Sequence, residues 1–465
     1  MLPKNKSKKR PRNYGSALIL SMIFIVICSV LAVSLATMSG NNVQLADNQR
    51  KADRARACAE SGFDVIRYWL NKVSISGTTS EEQRFSLIAA TLQDELDADC
   101  ITNIITYYGG SIIAVPSVTL NSAKGESFSA VITALDTETL QIDVTGCADS
   151  LTRSIRGIYD FGIRGHTVFD FGVASKGPLS LSGNIELEGV NVSVEASVYI
   201  ESENSTLALS IIGNSQIAGD VQIVNPIATV DLQGGHAGIG GETGQAAVDN
   251  HVEFGAPQTE FPEPVPEQFE SYATNTVDSN TDTSSDATFD NIKITASTNP
   301  TFSGHTTLRG IVFIETPNVV EFTGGVDLTG IIVGNGDVTD NSGTNQIIFR
   351  GNVESYPISD LPNESQFEGL HDQTGTFVIA PGFKVSFGGS FSALCGAIAG
   401  NGIEFFGDAG GIINGSVINY SDQDMILSGN SDLYFNRSGT TQSPAGFVPE
   451  IILKYNPKSY SEVIL

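Results

Sequence analysis

The chain has 465 residues, with 25 Lys and Arg against 52 Asp and Glu, a formal net charge of −27, 48 glycines and one tryptophan. One domain is unexpected at this length, and so acidic a balance opposes binding to nucleic acid or to an anionic lipid surface. Glycine content and the lone tryptophan point away from a compact helical enzyme.

The charge is unevenly spread. Residues 1–72 hold 12 basic and 4 acidic side chains (+8), and residues 73–465 hold 13 and 48 (−35). The basic part opens with Lys4, Lys6, Lys8, Lys9, Arg10 and Arg12, then Gly15, then an uncharged run of 23 residues from Ser16 to Met38. As a helix at about 1.5 Å per residue this run reaches roughly 35 Å, enough for the roughly 30 Å hydrocarbon core of a bilayer. Six basic residues precede it and the next is Arg50. The positive-inside rule therefore predicts a single membrane pass with a cytoplasmic N-terminus and the bulk exported. The rival reading is a cleaved signal peptide with Ser34-Leu35-Ala36 as its small-residue site. From Asn41 to Val73 there is no proline, and Ala52, Ala55, Ala59, Phe63, Ile66 and Leu70 recur at helical spacing. Apolar segment and amphipathic stem thus read as one helix, with Gly40 and Gly62 each about 1 kcal/mol less favourable than alanine.

The stretch RNYGSALILSMIFIVICSVLAVSLATMSGNN, with RACAESGFDVIRYWL after it, resembles the N-terminal domain of PilX-type minor pilins. The resemblance covers residues 10–75 closely and 76–163 loosely. It implies that a prepilin peptidase cuts between Gly15 and Ser16 and leaves the apolar helix, with Leu20 and Phe24 in it, to pack in a filament core. Major pilins carry Glu at the fifth mature position, where this chain has Leu20. PilX-like and K-type pseudopilin-like components are similar in lacking it. The departure implies a minor subunit, placed at a filament end where it need not dock beneath another. The implied partners are the peptidase, other pilin or pseudopilin subunits and the inner membrane.

Residues 74–163 read as an α+β head: a short amphipathic helix marked by Phe85, Ile88, Leu92 and Leu96, then strands at Ser111–Leu120, Ser127–Leu135, Thr139–Cys147 and Leu151–Ile163 in an antiparallel meander. Its natural place is against the C-terminal half of the stem. Cys100 and Cys147 fall within this head, where an exported setting lets a disulfide form; Cys28 lies in the apolar run.

From Phe169 the texture changes to short alternating strands punctuated by Gly-Asn and Gly-Asp. It recurs at 302–353 and 376–436; LSLSGNIELEG near residue 180 compares with MILSGNSDLYF near 425. This is the signature of a β-solenoid, here a right-handed parallel β-helix, with apolar residues stacked inward and Gly or Asn at the corners. An antiparallel jelly roll or sandwich is the alternative. Residues 255–300, rich in proline, acid and then Ser/Thr/Asp, read as an excursion, partly extended and partly disordered. Tyr356–Gln373 reads as a smaller loop.

Chemistry is sparse. Asp278–Asp282 starts like a calcium loop, but Thr283 and Phe289 stand where the EF-hand needs Gly and Glu. Asp337, Asp340 and Asn341 read as a solvated corner rather than a cation site. The five histidines are scattered and read as surface or turn residues, and no cofactor, metal or catalytic motif is present. The enzyme alternative, a polysaccharide lyase or glycosidase on a β-helix, needs clustered carboxylates on one face.

The expected chain is therefore α+β followed by all-β: leader 1–15, transmembrane helix and stem 16–73, pilin-like head 74–163, solenoid 164–254, linker 255–300, solenoid 301–455 and tail 456–465. The expected role is a non-enzymatic minor pilin-like component that displays an acidic solenoid for adhesion to a surface or glycan. The alternative is a membrane-tethered β-helix that acts on or binds carbohydrate.

Overall fold

The computed structural model describes residues 14–437 and 443–463, which divide into two units. The expected leader lies outside the described residues up to Arg12 and Asn13.

The first unit, here the head, comprises the N-terminal 73 residues, 79–162 and the segment from Ile452 onward. Helix α1, Tyr14–Leu70, is one uninterrupted element of 57 residues. Helix α2, Glu81–Ala98, buries Phe85, Ile88, Ala89, Leu92 and Leu96, the stripe its spacing predicts. Strands Ile112–Asn121, Glu126–Ala134, Thr139–Ala148 and Leu151–Arg164 pair antiparallel in sequence order, with Thr106–Tyr108 on one edge. Along Thr139–Ala148 burial alternates residue by residue, so Leu140, Ile142 and Val144 face the interior.

The other flank of Leu151–Arg164 is taken by Glu450–Val463, so the residues expected as a tail from 456 belong mostly to a sheet strand. Tyr455 of this strand packs on Tyr159 and Phe63, with centroids 5.2 and 5.5 Å apart. The Ile158 amide donates to the Ser459 hydroxyl at 2.7 Å. Apart from Ser74–Thr78, the second unit is thus an insertion, Ile163–Ile451, between two neighbouring strands of the head sheet.

That second unit, the body, is built of three sheets whose pairings are parallel apart from a short hairpin at Gly238–Ile239 and Glu242–Thr243. The antiparallel jelly roll is therefore not the architecture. From Val173 the chain passes Val173–Ser175, Leu179–Gly183 and Glu186–Gly189 in the first, second and third sheets. It returns one layer further on at Val198–Ile200, Leu207–Gly213 and Gln216–Ile217. Two more passages reach Val252–Phe254, where helix α3, Gly244–His251, lays Ala247 over the core.

The second half does not continue from there. It begins at the opposite end of the first sheet with Asn275–Val277 and winds back, until Val417, Leu427 and Leu433 pair with Val173, Leu181 and Leu187 of the first layer. The residues from Asn275 to 300, expected as linker, thus include strands Asn275–Val277 and Ala287–Ile294. In strands Thr306–Glu315 and Val326–Asn335 the first half alternates in burial and the second half is buried on both faces. The change falls at Gly310 and Gly330, both at positive φ. A Cβ at Gly310 would overlap the Asn291 side chain, whose Oδ1 accepts from the Ile311 amide at 3.0 Å.

Inside, the second sheet stacks Phe302, Phe322, Phe349, Phe387 and Phe405 with centroids 4.9–5.1 Å apart and rings tilted by 8–15°. Their spacing is that of the strands that carry them, about 4.8 Å. The outward face of the first sheet is also buried: Tyr199, Phe313, Val333, Ile379 and Ile418 lie under Phe261 and Phe269 from the proline-rich segment and under Ile358, Leu361 and Phe367 from the 356–373 excursion. Both expected loops are therefore the cover of this sheet, which is why its strands read as continuous apolar runs.

Candidate functional site: the exposed half of the N-terminal helix

Helix α1 has two halves of different chemistry. From Leu18 to Leu45 every large apolar side chain is exposed, Leu20 by 73% and Phe24 by 67%. An 18-residue window reaches a mean hydropathy of 2.9 with none of it buried. Leu20 and Phe24, four residues apart, share one face and line a shallow apolar depression with Ala17, Ile23 and Ile27. The hydroxyls in this half turn back on the helix: Ser21 to Leu18 O at 2.9 Å, Ser29 to Ile25 O at 2.7 Å and Thr37 to Val33 O at 3.0 Å. The surface it offers is thus apolar all round, which in a soluble fold is found only in a buried core. Gly15 and Ser16 lie in the first turn, in helical conformation.

The second half is amphipathic and has its partner in the head. Ala55, Cys58, Ala59, Phe63, Ile66, Trp69 and Leu70 are buried. Its approach to the sheet is closest at glycine: a Cβ at Gly146 would overlap the backbone of Ala55 and Ala59, and one at Gly62 the ring of Phe128. Gly62, which reads in the sequence as a weak point of the helix, is a close-packing site. Arg54 clasps the sheet through Glu126 at 2.8 Å and Asp149 at 3.0 Å. Trp69 Nε1 donates to Asp99 Oδ2 at 3.1 Å, a contact that spacing alone does not reveal.

The other sequence candidates are dispersed. Cys100 and Cys147 are not joined; all five cysteines are free. Cys147 alternates with Gly146 and Ala148, which face the interior, so it points away from the face that α1 covers, while Cys100 is exposed after α2. Asp337 accepts from the Thr339 amide and hydroxyl, and Asp340 from Ser342 and Asn345. Asp282 accepts from Ser284 and Ser285, which hold its carboxyl down at about 2. These are local turn caps, and no group of three or more metal-ligating side chains occurs among the described residues.

One histidine departs from the surface reading. His166 is buried in the body, with Nδ1 3.0 Å from Glu450 Oε1 and Nε2 donating to Val448 O at 3.1 Å. Arg164 reaches the other carboxylate oxygen at 2.8 Å.

A helix apolar on every side that runs unbroken into a stem held by an antiparallel sheet is the arrangement that the resemblance to PilX-type minor pilins implies. In agreement, residues 15–64 match the family model of the PilX N-terminal domain. The match takes in the first half of the helix, Gly15 and Leu20 included, and most of the stem. No curated protein matches the chain. Among solved structures, the competence-associated pilin ComZ from Thermus thermophilus aligns over 89% of this chain and 98% of its own, at 10% identity and a TM-score of 0.23. A score that low does not establish a shared fold.

Proposed function

We propose that this chain is a minor, PilX-like subunit of a type IV pilus or pseudopilus. The observation that carries the reading is the exposed half of α1, apolar on all sides and joined without a break to a clasped stem. Such a segment has two suitable surroundings, lipid and other helices of its kind. The precursor sits in the inner membrane with its N-terminus in the cytoplasm. Prepilin peptidase cuts between Gly15 and Ser16, and the freed helix, with Leu20 and Phe24, packs among other pilin or pseudopilin subunits. With Leu20 in place of an acid, the subunit belongs at a filament end.

The body is a right-handed β-solenoid carried on the outside for adhesion to a surface or a glycan, and it is not an enzyme. Its 35 acidic and 7 basic side chains over residues 163–451 keep it soluble and turn it away from nucleic acid. N-terminal sequencing of the mature protein, with and without the peptidase, tests the proposal. The expected first residue is Ser16, and only when the peptidase is present. A mature chain that begins beyond Ala36 has discarded the apolar helix and overturns it.

A further inference from the structure

The body is inserted between two neighbouring strands of the head, and the residues that bound it, Arg164 and Glu450, are an ion pair. We propose that the folded body acts as a checkpoint on the head: only with the body folded does the head hold its last strand, Glu450–Val463, against the stem.

Were the body unfolded, residues 165–449 would be a loop of 285 residues tethering the last strand to its neighbour Leu151–Arg164. Closing a flexible loop scales as the three-halves power of its length, so docking of that strand is disfavoured on the order of 10³-fold relative to a short connection. The folded body removes the handicap. It holds Arg164 to Glu450 at 2.8 Å and, on the same carboxylate, His166 at 3.0 Å, so the strand begins next to its place in the sheet.

The strand in turn covers stem and sheet. Tyr455 lies 5.5 Å from Phe63 and 5.2 Å from Tyr159, and the Arg67 guanidinium sits 5.6 Å from the Tyr455 ring. Without it the Phe63 and Tyr159 rings, buried in the native head, lose part of their cover. A subunit with a misfolded body is thereby marked by a head that does not close. Linkage makes the effect reciprocal: the docked strand ties the ends of the body and stabilises it by the same factor. None of this depends on the filament role or on what the body binds.

The test is amide hydrogen exchange on the full chain in detergent micelles. The double variant Phe349→Asp, Phe387→Asp places two carboxylates in the aromatic stack, and peptides from 306–335 report whether the body has opened. In molecules with an open body, exchange across 452–462 is expected to rise on the order of 10³-fold, while strand Thr139–Ala148 rises far less. Exchange across 452–462 within a few-fold of the parent, in a protein whose 306–335 segment exchanges freely, overturns the proposal. The converse variant, Leu453→Asp with Tyr455→Asp, undocks the strand and leaves the body sequence intact. A fall in the denaturant midpoint of the body supports the coupling, and an unchanged midpoint overturns it.

Discussion

Glu450 shows how a buried carboxylate is made tolerable. Burial alone would raise its pKa, but the His166 ring 3.0 Å from one oxygen and the Arg164 guanidinium bonded to the other hold it at about 2. A carboxylate with a depressed folded pKa contributes stability that is complete above the ordinary value near 4.5 and is lost as the pH falls towards 2. Glu450→Gln is therefore expected to destabilise the body by on the order of 2–3 kcal/mol at pH 7. It should also flatten the dependence of the unfolding midpoint on pH between about 5 and 2, which denaturant titrations at several pH values would measure. Gly146 makes a different demand. With no room for a Cβ beside Ala55 and Ala59, Gly146→Ala must push α1 from the sheet, at a cost of about 1–3 kcal/mol in the thermal stability of the head. Neither role is legible in the sequence. Gly146 stands in it as one turn-like glycine among many, and the partners of Glu450 lie 284 and 286 positions away.

Whole elements were far more legible. The stripe Phe85, Ile88, Leu92, Leu96 and the alternation along 139–148 depend on residues a few positions apart, and both recur in α2 and its neighbouring sheet. The strand Glu450–Val463 carries no local strand signal, because its sequence, IILKYNPKSYSEV after Glu450, holds a proline and little alternation. Its place is given by Tyr159, Phe63 and Leu151–Arg164, none of them local. The proline-rich segment departs from its local sequence signal for a related reason. From Phe254 to Asn275 the first sheet advances by ten strand spacings, roughly 48 Å, which 21 residues can span only if mostly extended. Pro257, Pro262 and Pro264 favour that extended form, and Pro266 opens the 3-10 helix Pro266–Tyr272 that follows. Tyr199 and Tyr420 pin it through the Thr259 amide at 2.8 Å and Pro262 O at 2.5 Å. Tyr420→Phe should cost about 1 kcal/mol, and Phe387→Ala, in the middle of the aromatic stack, about 3–5 kcal/mol. Chemical denaturation of the full chain separates the two.

In the molecule as a whole the decisive feature is the order of winding. The first and last layers meet, with Val173 against Val417 and Gly183 against Gly429, so the body closes only when segments some 244 residues apart have come together. Pairing at that separation is slow. For the helix that precedes it, Leu20→Glu restores the acid that major pilins carry at this position. If Leu20 places the subunit at a filament end, the variant is expected to appear along the shaft, as immunogold labelling of sheared filaments would show. An unchanged distribution would remove the basis for the end position.

The amino-acid sequence by itself determined the apolar helix, its continuation as a stem, the strands of the head and the repeated strand-and-glycine texture of the body. Each of these rests on periodicities within about a dozen residues. Only the tertiary structure decided that the body interrupts the head sheet, that it winds outward from a seam and returns to it from the opposite end, and that its supposed loops cover its broadest sheet. Those choices are made by pairings between distant segments, and strands with the same alternation are interchangeable until backbone bonds and side-chain volume select one neighbour.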